Sequence, residues 1–141
     1  MWWTYALLSA LFAALTAVFA KVGLKGTDSD LATAIRTVVI LFISWGIVFF
    51  KGSFTAISSL SRQNILFLVV SGIATGLSWI FYFKALQLGK VSQVAPVDKL
   101  SVALAIVLSV LFLGEVLTWK SIVGASLVIV GTLILILKTC S

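Results

Sequence analysis

The sequence has no histidine, one cysteine, one proline and only four acidic residues beside ten basic ones. Each shortage removes a class of function. Without histidine the commonest general base at neutral pH is missing. The lone thiol, Cys140, is the penultimate residue. One cysteine forms neither an internal disulfide nor a metal cluster. It reads as an unpaired thiol at a chain end, and the four-residue motifs that lipidate a terminal cysteine are missing. With no paired carboxylates inside the apolar stretches either, an intramembrane enzyme is the weakest reading. No catalytic residue, cofactor or metal is expected.

Charge is scarce as well. Charged residues make up 10% of the chain, against roughly 25% in ordinary soluble domains. That is too few to clothe a water-facing surface. Hydrophobic residues make up 62%, and an apolar exterior is the stable one in lipid. The formal charge of +6 does not indicate nucleic acid. The basic residues stand at the ends of apolar runs, not on one continuous face. There they set orientation and meet lipid headgroups.

A membrane span needs about 20 mainly apolar residues. Stretches of that kind run from Trp3 to Val22, Leu31 to Phe50, Ile65 to Leu86, Val94 to Leu113 and Trp119 to Leu137. The expectation is an all-α bundle of five spanning helices forming one domain over residues 1–141. Polar breaks punctuate it. Gly26 to Asp30 separates the first two spans, with Asp30 suited to cap the second. Ser61 or Asn64 can cap the third. Gly114 suits a left-handed helix end. Connections this short predict that neighbours in sequence pack antiparallel and adjacent. The first span is too long for a signal peptide and lacks its basic start and cleavage site, so it is expected to be retained.

Trp2, Trp3 and Trp119 fall where spans meet water, on the side that also holds the N-terminus, the segment from Lys51 to Asn64 and Glu115. Indole prefers that interface. Ala6, Ala10, Ala13, Ala17 and Ala20 share one helix face, as do Gly72 with Gly76 and Gly124 with Gly131. Small residues let helix backbones approach in lipid, within one subunit or between two.

The charges near or within spans gather on the opposite side. Lys21 ends the first helix, Arg36 enters the second, Lys84 lies near the end of the third, and Asp98 and Lys99 open the fourth. Arg36 is ~8 Å deep by helix rise, where a charge needs a partner or water. The convergence predicts a hydrated vestibule in which Arg36 and Asp98 share a cavity. Lys21 and Lys84 have a simpler reading, since long basic side chains snorkel to headgroups. Asp98 has one too. It follows Pro96, which favours a first helical turn, where a carboxylate is stabilised by the helix dipole. Trp79 and Tyr82 on the third helix can bind apolar or cationic substrates, or simply fill space.

The sequence from the third helix onward resembles the EamA domain of the drug/metabolite transporter superfamily. The residues that carry the resemblance are Ala85-Leu86-Gln87-Leu88-Gly89, Ala95-Pro96, Phe112-Leu113-Gly114-Glu115 and Leu117-Thr118-Trp119, with Gly124 and Gly131 in the last helix. Phe19-Ala20-Lys21-Val22-Gly23 and Arg36 extend it to the N-terminal half. The resemblance implies transport of metabolites, amino acids or nucleotide-sugars, or flipping of lipid-linked sugars. Typical members carry two inverted five-helix repeats. This chain has one, like the single-repeat bacterial and archaeal branch, and an oligomer then stands in for the missing half. Glu115 lies in an interfacial turn and does not match the mid-membrane glutamate of the four-helix multidrug exporters, so proton coupling is unsupported.

The expected function is therefore a small-molecule transporter of the inner membrane, working by alternating access as a homodimer, parallel or antiparallel. A non-transporting subunit or assembly factor of a larger membrane complex is the alternative. Lys21, Lys25, Lys84, Lys90 and Lys138 outnumber Lys51, Arg62 and Lys120, which puts the C-terminus in the cytoplasm by the positive-inside rule. The candidate cavity residues are Arg36, Trp79, Tyr82, Lys84, Asp98 and Lys99.

Overall fold

A computed structural model describes residues 1–137. Lys138 and Cys140, both singled out above, lie outside the described residues. The chain is helical throughout, with no strand among the described residues. Its helices are α1 (Trp2–Gly23), α2 (Ser29–Phe50), α3 (Arg62–Leu88), α4 (Val91–Asp98), α5 (Leu100–Leu113) and α6 (Trp119–Leu137), with a short 3-10 turn at Ser53–Ser59. Five stretches are long and apolar enough to cross a bilayer, α4 and α5 together making one of them, Val91–Leu113. The fold is thus an all-α polytopic membrane bundle. It divides into two compact units, Met1–Leu88 and the chain from Gly89 onward.

Local chemistry sets the helix ends. Asp28, not Asp30, caps α2. Its carboxylate accepts from the backbone N–H of Asp30 at 2.9 Å and of Leu31 at 3.2 Å. The helix begins at Ser29, two residues earlier than apolar periodicity suggests, because a polar start is invisible to periodicity while its orphan N–H groups still need an acceptor. Ser61 caps α3 by accepting from Asn64 N–H at 3.1 Å. Gly114 closes α5 in the left-handed region at φ +68°, as expected of a glycine there.

The side-chain hydroxyls inside the spans follow the same logic. Thr33, Thr37, Thr75, Ser126 and Thr132 each donate to the carbonyl one turn back in their own helix. In lipid no water is available to them, so the helix supplies the acceptor.

In the first unit α3 is the central element, with α1 and α2 both packed on it. The principal neighbour of α1 is therefore α3 and not α2, the helix that follows it in sequence. The buried apolar side chains of this unit are Ala17, Leu24, Phe83 and Leu86. They gather where α1 and α3 end and α2 begins. At the other end of α2, Trp45, Phe49 and Phe54 form an aromatic cluster, with the rings of Phe49 and Phe54 stacked at 5.4 Å. It folds the 3-10 turn against the helix end.

In the second unit α4, α5 and α6 pack on one another. Because α4 begins at Val91, Pro96 falls inside that helix and not in its first turn. The backbone then tightens. Lys99 N–H donates to Pro96 and Val102 N–H to Lys99, each three residues back, and the span breaks at Lys99. Asp98 consequently closes α4, just before the Lys99 N-cap of α5, and lies in the first turn of neither helix. The simpler reading of Asp98 given above does not hold.

Of the alanines on the face of α1 only Ala17 is buried. A Cβ added at Gly72, Gly76, Gly124 or Gly131 would meet no atom of another described element within 4 Å. These small-residue faces are not used for close packing within the described residues.

Candidate functional site

Arg36 sits in the second turn of α2, seven residues beyond Ser29 and so ~10 Å along the helix. Its guanidinium carbon lies 4.7 Å from the centroid of the Trp79 ring and 5.1 Å from that of Phe83. Trp79 and Phe83 are four residues apart on α3 and therefore share a face. Together they form an aromatic platform beneath the cation. Such contacts hold a guanidinium in an apolar setting through the ring quadrupole.

The arginine borders a cavity of about 400 Å³ in the first unit. Thr16, Phe19, Ala20 and Gly23 come from α1, Thr27 from the connecting turn, Ala32, Ile35 and Arg36 from α2, and Phe83 from α3. Thr16, Ala20 and Gly23 recur at helical spacing, so one narrow face of α1 looks onto the space. Small side chains on this face open a cavity, the opposite of the close packing that such residues usually signal in membranes. Arg36 supplies the one charge in the lining.

Polar contacts close the end of this unit. Lys21 donates through Nζ to the carbonyl oxygens of Leu86 at 2.5 Å and Gln87 at 3.5 Å. Gln87 in turn donates through Nε2 to the carbonyl of Thr27 at 3.1 Å. Lys21 thus caps the C-terminus of α3 instead of reaching for headgroups. A cation is favoured there, because the last carbonyls of a helix lack partners and carry partial negative charge.

Tyr82, Lys84, Asp98 and Lys99 are not among the residues that line this cavity. Tyr82 lies beside Phe83, ring edge to face at 6.3 Å, and neither it nor Lys84 lines the cavity. Lys84 is exposed. Asp98 and Lys99 belong to the second unit and pair with each other, Nζ to Oδ2 at 3.4 Å, with both side chains partly exposed. Thr16, Ile35 and Phe83 line the cavity without any expectation from the sequence, and Phe19, Thr27 and Gln87 figure in the sequence only as parts of motifs or breaks, not as cavity or closure residues. Phe83 was recoverable, since it lies one helical turn after Trp79. Gln87 and Thr27 were not, because their contact joins positions 60 residues apart.

Comparison with known proteins places this geometry in context. The family model for the EamA-like transporter family matches residues 1–137. A Sinorhizobium protein described as an uncharacterized transporter in the cobO 3′ region is 50% identical over 134 residues, covering 95% of each chain. An uncharacterized protein of Methanocaldococcus jannaschii is 32% identical over 77 residues, 54% of this chain and 56% of its own. No solved structure matches the chain. Five apolar spans, a cavity with a charge held partway along one of them, and a family match over nearly the whole length agree: the chain is a multi-pass membrane protein of the EamA-like transporter family.

Proposed function

We propose that this chain carries a small solute across the inner membrane of the cell by alternating access, acting as a homodimer whose second copy takes the place of the second repeat in tandem relatives. The observation that carries the reading is the cavity of about 400 Å³ bordered by Arg36. Its size falls in the range of small-molecule sites, and a charge at that depth is costly, which marks it as a functional candidate. Arg36 and Trp79 are the residues we assign to the solute. Tyr82 and Lys84 on the same helix, and Asp98 and Lys99 at the break between α4 and α5, are secondary candidates.

The dimer is argued from two features. Alternating access needs two elements that rock against each other around a site, and one five-helix repeat is half of the family's usual complement. The glycine pairs on α3 and α6 also lack neighbours within the described residues, as faces reserved for another copy would.

Purified full-length protein in proteoliposomes tests the reading. Solute flux that depends on the protein and saturates is the expected result. Absence of flux for every solute that binds would instead favour a non-transporting subunit of a larger complex.

A further inference from the structure

We infer that the cavity beside Arg36 binds an oxyanion, a carboxylate or phosphate group on a small, largely apolar body, and that Arg36 is its anchor. This names a substrate class for the transport reading and rests on it.

The first argument is unmet hydrogen-bonding capacity. A guanidinium carries five N–H donors arranged in a plane. The contacts with Trp79 and Phe83 are between a cation and ring faces, and they use none of those donors. The single ion pair among the described residues joins Lys99 to Asp98. No described carboxylate or carbonyl therefore accepts from Arg36. Within a span such a charge calls for water or a ligand. A planar fork of donors matches a carboxylate or phosphate, which accepts two parallel bonds from it.

The second argument is the sign of the charge. Aromatic rings beside a cavity would ordinarily suggest a cationic substrate. Here the faces of Trp79 and Phe83 already hold the protein's own cation. A second cation would meet Arg36 with no carboxylate in the lining to offset it. The nearest acid along the chain, Asp28, has its carboxylate engaged as the cap of α2.

The third argument is the rest of the lining. Phe19, Ile35 and Phe83 are apolar, which suits a hydrocarbon body. Thr16 adds a hydroxyl that makes no hydrogen bond among the described residues. The space thus has one anion-binding corner and an apolar remainder. A free organic anion and the phosphate of an anionic lipid share this chemistry, and the test separates them.

The full-length protein would be reconstituted in phosphatidylcholine nanodiscs and probed with four compounds of similar body: benzoate, phenyl phosphate, benzylamine and benzyl alcohol. Thermal stability and direct binding are read for each. A parallel set uses nanodiscs containing phosphatidylglycerol without added solute. Benzoate or phenyl phosphate should bind and raise the melting temperature, while the amine and the alcohol should not. Arg36→Gln should weaken that binding at least tenfold, and Arg36→Lys should recover part of it. Lys120→Gln removes a positive charge outside the cavity and should change nothing. Should Arg36→Gln fail to fold, Thr16→Val serves in its place, with a smaller loss. Stabilisation by phosphatidylglycerol that depends on Arg36, with no response to the soluble anions, would assign the oxyanion to lipid. Equal binding of amine, alcohol and anion, or anion binding untouched by these substitutions, overturns the inference. Flux in proteoliposomes is scored separately. Transport of the amine but not the anions would sink the oxyanion assignment and leave the transporter reading standing. Anion binding with no flux of anything would do the reverse.

Discussion

The hydroxyl of Thr132 on α6 lies 3.2 Å from the carbonyl oxygen of Pro96 and 2.7 Å from that of Val128 in its own helix. It has a single hydrogen to serve both. Pro96 lacks the N–H that would continue the ladder, and the tightened turn after it leaves its carbonyl shared between Lys99 N–H and Thr132. Thr132 is 3% exposed, so no solvent substitutes. Thr132→Val keeps the shape and removes the donor. It should lower stability by about 1 kcal/mol, read as a lower melting temperature in detergent, whereas Thr132→Ser should stay close to the parent.

The break itself is testable through Pro96. Proline inside a helix costs about 3 kcal/mol in water, though neighbouring hydroxyls and local 3-10 turns soften this in membranes. Pro96→Ala should let α4 and α5 join as one continuous helix and raise the melting temperature. If the break at Lys99 acts as a hinge in transport, the same variant should transport more slowly. Faster or unchanged flux would show the break to be passive.

Lys21 joins two helix ends. Its ammonium caps the carbonyls of Leu86 and Gln87, and Leu86 is fully buried. Lys21→Met keeps the apolar stem but removes the donor, leaving the carbonyls at the end of α3 without that cap. A charge-assisted hydrogen bond of this kind contributes about 1.5 kcal/mol. The expected loss should appear in the melting temperature, while Lys25→Met, at an exposed position four residues on, should be near neutral.

Much of this was legible beforehand. Five apolar runs of spanning length predict the helices, since lipid leaves the backbone little else to form. Gly114 announced its own left-handed turn. What failed was decided by groups without periodicity. Asp28 takes the cap from Asp30 because the first turn of α2 is polar. The start of α4 at Val91 places Pro96 mid-helix and moves Asp98 from a first helical turn to the end of α4, where it pairs with Lys99. The packing of α1 on α3, and the cavity that follows from it, depend on contacts such as Gln87 with Thr27 that lie far apart in sequence. Arg36 was recognisable as a charge in need of a partner, and sequence alone gave no sign that aromatic faces would meet it.

The platform beneath Arg36 gives another expectation. Cation–π contacts contribute about 0.5–1 kcal/mol when exposed and about 2 kcal/mol when desolvated. Trp79→Phe keeps a weaker face, and Trp79→Ala removes it. If the platform holds the guanidinium ready for an anion, benzoate affinity should fall about threefold for the first and about tenfold for the second, in proportion to the lost stacking. Equal affinities in all three proteins would mean that Trp79 merely fills space.

The final expectation concerns orientation. An odd number of spans puts the two chain ends on opposite sides of the bilayer. On the side of the C-terminus the flanking basic residues are Lys21, Lys25, Lys84, Lys90 and Lys138, against Lys51, Arg62 and Lys120 on the other. Basic residues near span ends are retained in the cytoplasm, so a reporter at the C-terminus active only there should give the stronger signal. The excess is small enough to be cancelled by two substitutions. Lys25 and Lys90 are exposed, and neither belongs to the cavity lining. Replacing both with glutamine would leave three flanking basic residues on each side, Arg36 and Lys99 inside the spans apart. A paired reporter active only outside the cytoplasm should then gain signal at the expense of the first. In the parent chain, signal from both reporters would mean that it inserts in both directions, as an antiparallel homodimer requires. Signal from the cytoplasmic reporter alone would leave only parallel assembly, a monomer or a different partner. If the double substitution shifts nothing, the basic flanks do not set the orientation of this chain.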